Sequence, residues 1–207
     1  MIPIESLTTF VIASVLLALA PGPDNIFVLT QSSVNGHKAG LFVTLGLCTG
    51  LIVHTTAVAL GITALFQASF AAFTVLKVVG AIYLLYLAWQ AFHASAEEIQ
   101  NNQFTESSGM KFYLRGIIMN ITNPKVSIFF LAFLPQFADP SNGSITQQIF
   151  ILGAVFILVT MVVFGGIASL AGYVGTWLNA SPGAQIIMNR IAGAVFVVLA
   201  LKLVTAK

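Results

Sequence analysis

The chain has 207 residues, of which 58% are hydrophobic and only 7% charged, with a formal net charge of +2. A soluble domain carries about 25% charged residues, so this much apolar surface calls for lipid as its solvent. Lys and Arg are few and scattered, which excludes a nucleic-acid partner. Cys48 is the single cysteine, which excludes an internal disulfide, a CxxC redox pair and a cysteine-based metal site.

Six apolar segments emerge in chain order on a window of about 19 residues. The first covers 4–30 and is interrupted at 21–24 by Pro21-Gly22-Pro23-Asp24. Its start mimics a signal-peptidase site at Ala18-Leu19-Ala20, but the leader holds Glu5 and no basic residue, and Pro21 follows directly. The segment is therefore expected to be retained. The second, 39–66, carries His54 and the pairs Gly36-xxx-Gly40 and Gly46-xxx-Gly50, whose spacing lets membrane helices approach closely. The third covers 69–92. A polar stretch from His93 to Gly109, with Glu97, Glu98, Asn101 and Asn102, reads as a linker. The fourth, 112–136, is interrupted at Asn123-Pro124; the fifth and sixth cover 146–171 and 184–206.

The two halves echo each other. Pro23-Asp24-Asn25 and Pro124-Lys125 lie 101 residues apart, and Gly80-Ala81 and Gly193-Ala194 lie 113 apart. The expected fold is all-α and membrane-integral: six transmembrane helices as two inverted three-helix repeats, with helices 1 and 4 broken. The repeats are 1–92 and 111–207, joined by the linker 93–110. Three helices per half is an odd number, so the second half enters the membrane from the opposite side. Lys38, Lys111, Arg115 and Arg190 gather on one face, which the positive-inside rule favours as cytoplasmic.

The broken spans carry the chemistry. Pro21 and Pro23 remove backbone donors and clash with the preceding turn, so a helix ends there and another starts around Pro23 to Asn25. Asn123 is a favoured N-cap and Pro124 a favoured first helical residue. Two half-helix N-termini inside the bilayer offer unpaired N–H groups and positive dipole ends to an anion. Asp24 and Lys125 follow the matching prolines. A lone charge there costs about 2.5–3.5 kcal/mol on insertion scales, so a pair between them is expected. Asp24 suits an ammonium group or a proton, and Lys125 an anionic group. Gln31 to Lys38 and Lys111 to Arg115 place both breaks towards one face.

Candidate substrate-binding residues are therefore Pro21, Gly22, Pro23, Asp24, Asn25, Asn120, Asn123, Pro124 and Lys125. Asn120 is included because it shares a helical face with Asn123. Asp24 and His54 are the candidates for proton coupling. The histidine reads equally well as a proton relay or as a neutral ring bonded to a neighbouring carbonyl.

With these residues in hand the chain resembles the lysine exporter (LysE/RhtB) family of bacterial amino-acid exporters, more on the side of its homoserine/threonine/leucine-type (RhtB) branch. Three blocks carry the resemblance: Ala20 to Asp24 through Gly36-His37-Lys38-Ala39-Gly40 to Gly46, Gly50, His54 and Gly61; Lys77 to Trp89; and Arg115-Gly116, Asn123-Pro124-Lys125 and Phe130 to Phe137. The resemblance implies an inner-membrane, multi-pass exporter of amino acids or close derivatives, driven by the proton motive force, with no cofactor. A zwitterion needs one cationic and one anionic seat, and the scarcity of intramembrane acids favours a neutral amino acid.

The rival readings are weaker. Export of a metal ion or other small solute needs several inward ligands, and only Asp24 and His54 are candidates. A membrane redox enzyme needs paired cysteines, and a membrane protease needs a Ser-His or paired-Asp set within the spans. A scaffold has no use for duplicated charged breaks. The small-residue faces leave room for a homodimer.

Overall fold

The computed structural model describes residues 2–68, 70–95 and 108–205, and all regular structure among them is helical. A bent pair opens each half: α1 (Ile4–Leu19) with α2 (Pro23–Asn35), and α5 (Gly109–Thr122) with α6 (Pro124–Ile128). α6 continues through a π-type turn, Phe129–Phe133, and a 3-10 turn, Leu134–Phe137. Two long helices follow each pair: α3 (His37–Ala68) and α4 (Phe70–His93) in the first half, α7 (Ile145–Ala180) and α8 (Pro182–Thr205) in the second. At about 1.5 Å per residue, the shortest of these long helices still exceeds the roughly 30 Å hydrocarbon core. The pairs bend by 58° and 53° at their breaks, and each makes one interrupted span. The result is a six-helix membrane protein with helices 1 and 4 broken.

Most segment boundaries agree with the apolar pattern, with two departures. α4 runs through His93, where the linker was expected to start, and residues 96–107 of that linker lie outside the described residues. α7 extends to Ala180, beyond the end expected near 171. Each break divides its bent pair into two arms of similar length. α1 and α2 have 16 and 13 residues, and α5 and the stretch Pro124–Phe137 have 14 each, so both breaks sit near mid-span.

Close backbone approach fixes the central packing. A Cβ on Gly46 would stand 2.1 Å from the Tyr113 carbonyl oxygen, and one on Gly116 would stand 2.3 Å from that of Val43. The two glycines interlock α3 with α5, as the small-residue spacing predicts. Gly50 extends the seam by seating Asn120, whose Cβ lies 2.7 Å from where a Gly50 Cβ would be. Both clashes at the interlock are with backbone, which cannot rotate away. Gly46→Ala is therefore expected to cost about 1–3 kcal/mol, visible as a lower thermal midpoint in detergent. An unchanged midpoint would refute the interlock.

Large apolar side chains point outward all round, among them Val162 at 76% exposure and Ile82 at 62%, as lipid-facing positions should. Inside, six phenylalanines pack together between the breaks and the end that carries Ile4, Phe137 and Ile145. Ring centroids are 5.1 Å apart for Phe10–Phe137 and Phe133–Phe137, 4.9 Å for Phe129–Phe133, and 5.2 Å for both Phe129–Phe156 and Phe130–Phe156. Such offset and edge contacts suit the ring quadrupole.

Candidate functional site

A helix that stops in mid-membrane leaves carbonyls without donors, and no water is there to take them. Pro21 lacks the N–H that Leu17 would accept, and Asp24 begins a new helix instead of serving Ala20. Lys125 from the other half supplies both: its Nζ donates to the Ala20 carbonyl at 3.0 Å and to that of Leu17 at 3.5 Å. Asn25 Nδ2 donates to the Ala18 carbonyl at 2.5 Å. The C-terminal, negative end of α1 is thus capped by a cation from α6. This corrects the expected Asp24–Lys125 pair. Among the described residues the two groups form no ion pair, although both are buried and line one cavity.

Gly22 makes that reach fit. Its backbone is extended (φ −179°), which any residue adopts; glycine supplies room, because a Cβ would stand 2.9 Å from Lys125 Nζ.

The second break is closed differently. Pro124 frees the carbonyl of Asn120, which accepts from Asn123 N at 3.1 Å and from His54 Nε2 at 3.2 Å. Of the two readings of His54, the structure contains the bond to a neighbouring carbonyl. Asn123 caps α6 as expected, its Oδ1 accepting from Lys125 N at 3.0 Å. That cap takes up the first free N–H of α6, so the expected anion seat there is already engaged. α2 differs: it opens on Gly22 and Pro23 with no side-chain cap.

Asp24 is 3% exposed, and its Oδ2 accepts from Asn120 Nδ2 at 3.5 Å. Its Oδ1 has no partner, and neither do Asn120 Oδ1, Asn25 Oδ1 and Asn123 Nδ2. Unsatisfied buried polar atoms are rare in folded chains, and four of them gather at this one locus. The cavity between the breaks is lined by the polar side chains Asp24, Asn120, Lys125 and Thr160 together with Leu17, Ala18, Leu51, Val126, Phe156 and Phe164. Its volume is about 20 Å³, enough for one water and too small for an amino acid.

The expected substrate-site residues thus come together from the α1–α2 break, α2, α5 and α6, with His54 joining from α3; of them Asp24, Asn120 and Lys125 line the cavity. Pro21, Gly22, Pro23 and Pro124 shape the breaks, while Asp24, Asn25, Asn120, Asn123 and Lys125 bring polar atoms to them. Among the described residues no three His, Cys, Asp or Glu side chains meet in a metal-binding group.

Comparison with known proteins decides the family. The family model described as "LysE type translocator" matches residues 15–207. The chain belongs to this family. A homoserine/homoserine lactone efflux protein of Salmonella typhimurium is 35% identical to it over 199 residues, covering 96% of this chain and 95% of the relative. The corresponding Salmonella typhi protein is 34% identical over the same length. An uncharacterized membrane protein of Vibrio cholerae is 31% identical over 198 residues, 96% of each chain. No solved structure matches the chain. As a LysE type translocator the protein is a multi-pass membrane transporter for a small molecule and not an enzyme.

What the translocator's sequence did not disclose is the cavity's α7 wall. Phe156, Thr160 and Phe164 recur every four residues on one helical face, but α7 is apolar all round, so that face has no contrast to mark it. The one available signal was a hydroxyl, Thr160, in an apolar run.

Proposed function

We propose that this translocator exports a neutral amino acid or a close derivative across the bacterial inner membrane, in exchange for protons. The reading rests on one observation: both breaks meet at a cavity that holds a buried carboxylate with an unpartnered oxygen and a buried ammonium. A zwitterion presents the complementary charges. Asp24 takes its α-ammonium, with Asn120 Oδ1 and Asn25 Oδ1 as further acceptors. Lysine has three N–H donors, and two of Lys125's go to α1, which leaves the third, with Asn123 Nδ2 and the uncapped start of α2, for the α-carboxylate. Pro21, Gly22, Pro23 and Pro124 hold the breaks open. The Salmonella relative named for homoserine and homoserine lactone efflux supports a substrate of this size.

Proton exchange follows from competition at one carboxylate. Asp24 holds either the substrate's ammonium or a proton, so each export event returns a proton inward. His54 is the second proton group: its ring bonds the Asn120 backbone while the Asn120 side chain bonds Asp24. Residues 1–92 and 111–207 act as inverted repeats around the cavity, each a bent pair followed by two long helices. Gly165 and Gly166 meet no other side chain within 4 Å, which leaves α7 room for a second copy in a homodimer.

Export from cells loaded with amino acids and dipeptides, with and without an uncoupler, tests the reading. Uncoupler-sensitive release of a few neutral amino acids is expected. Release of none, with the protein confirmed in the membrane, would overturn it.

A further inference from the structure

The α7 wall bears directly on which amino acid fits, and the argument rests on the transport reading above. Three side chains of that wall line the cavity: Phe156, Thr160 and Phe164. They share the cavity with Asp24, Asn120 and Lys125, so once a zwitterion's charged groups engage those three, the α7 residues are the ones left to meet its side chain. Phe156 belongs to the phenylalanine cluster on one side. Phe164 belongs to a separate cluster with Val28, Val43, Leu47 and Phe112 on the other. Between the two rings stands Thr160, 3% exposed, the one hydroxyl among the lining residues.

That hydroxyl is unusual in having no bond of its own. In a membrane helix a Ser or Thr hydroxyl ordinarily returns to the carbonyl four residues back. Ser14, Ser32, Thr44 and Thr55 all do so, at 2.7–2.8 Å. Among the described residues Thr160 makes no hydrogen bond. A hydroxyl with no hydrogen bond, on a residue that lines the cavity, is a ready partner for a substrate group. A site built to hydrogen-bond a substrate hydroxyl also discriminates against the analogue that lacks it, because its own polar group is then left unpaired.

We propose that Thr160 is a specificity-determining residue that reads a hydroxyl or comparable polar group on the substrate side chain, while Phe156 and Phe164 limit the side chain's length. The preferred cargo is then a short amino acid with a polar, uncharged side-chain end, ahead of an aliphatic one of equal size.

The test compares wild type, Thr160→Val, Thr160→Ser and Phe164→Ala for export of serine, threonine, homoserine, alanine, valine and leucine from loaded cells. Thr160→Val is expected to lower the preference for hydroxylated over aliphatic cargo about tenfold, the worth of one hydrogen bond. Thr160→Ser keeps the wild-type ranking, and Phe164→Ala raises the share of leucine. A uniform fall across all six substrates in Thr160→Val, with the wild-type ranking preserved, would overturn the assignment and leave the transport reading intact. Wild type exporting none of the six would overturn the transport reading and this inference with it. The ratio between substrates is the deciding readout, because a purely structural role for Thr160 would not move it.

Discussion

Asp24→Asn is expected to abolish export while the protein still inserts and folds. The change keeps the volume of the side chain and an oxygen able to accept from Asn120, so packing around the break is preserved. What goes is the negative charge, on a side chain that is only 3% exposed. Removing one partner of a buried charge interaction costs about 2–5 kcal/mol, so the initial export rate should fall about a hundredfold or more. The thermal midpoint in detergent should stay near that of wild type. Export above about one-tenth of the wild-type rate, at equal membrane abundance, would remove Asp24 from the transport cycle. Loss of export together with a collapsed midpoint would make it a structural residue instead.

Lys125→Ala should damage both quantities. The substitution leaves the Ala20 and Leu17 carbonyls without the donor that now serves them at 3.0 and 3.5 Å. Each buried group left unsatisfied costs about 1–3 kcal/mol. The first span loses the cap that joins it to the fourth, and the substrate loses its cation. Export should vanish, and the thermal midpoint should drop by clearly more than in Asp24→Asn. A Lys125→Ala protein as heat-stable as wild type would show that the cap contributes nothing. The contrast between the two variants separates a group that serves the cargo from one that serves cargo and fold together.

The architecture was legible because lipid demands long apolar runs and proline cannot continue a helix. Those two constraints placed six segments and both breaks, most boundaries falling within a few residues and the end of α7 missing by nine. The seam at Gly46 was legible for the same kind of reason, since glycine spacing reports how near a second backbone comes. The partner of Lys125 was not legible. Its acceptors are main-chain oxygens more than a hundred positions away, and every residue has such an oxygen. Sequence complementarity pointed to Asp24 because only side chains show their charge in a sequence. The capped start of α6 and the uncapped start of α2 also differ by one side chain, Asn123 against Gly22, although the two breaks read as equivalents. The α7 wall escaped because a helix bathed in lipid on one side and packed on the other is apolar on both.

The six packed phenylalanines bear on the proton exchange proposed above. Under the proposed proton exchange, Asp24 takes up protons within the membrane, which is one half of a short circuit. Moving a single charge across 100 mV releases about 2.3 kcal/mol, and a continuous file of water from Asp24 to both faces would dissipate it without moving any cargo. On the side of Ile4 and Ile145 that file meets Phe10, Phe129 and Phe133, none more than 1% exposed. An apolar constriction of this kind holds no water. If Asp24 exchanges protons as proposed, this packing would keep an idle copy from discharging the membrane's gradient.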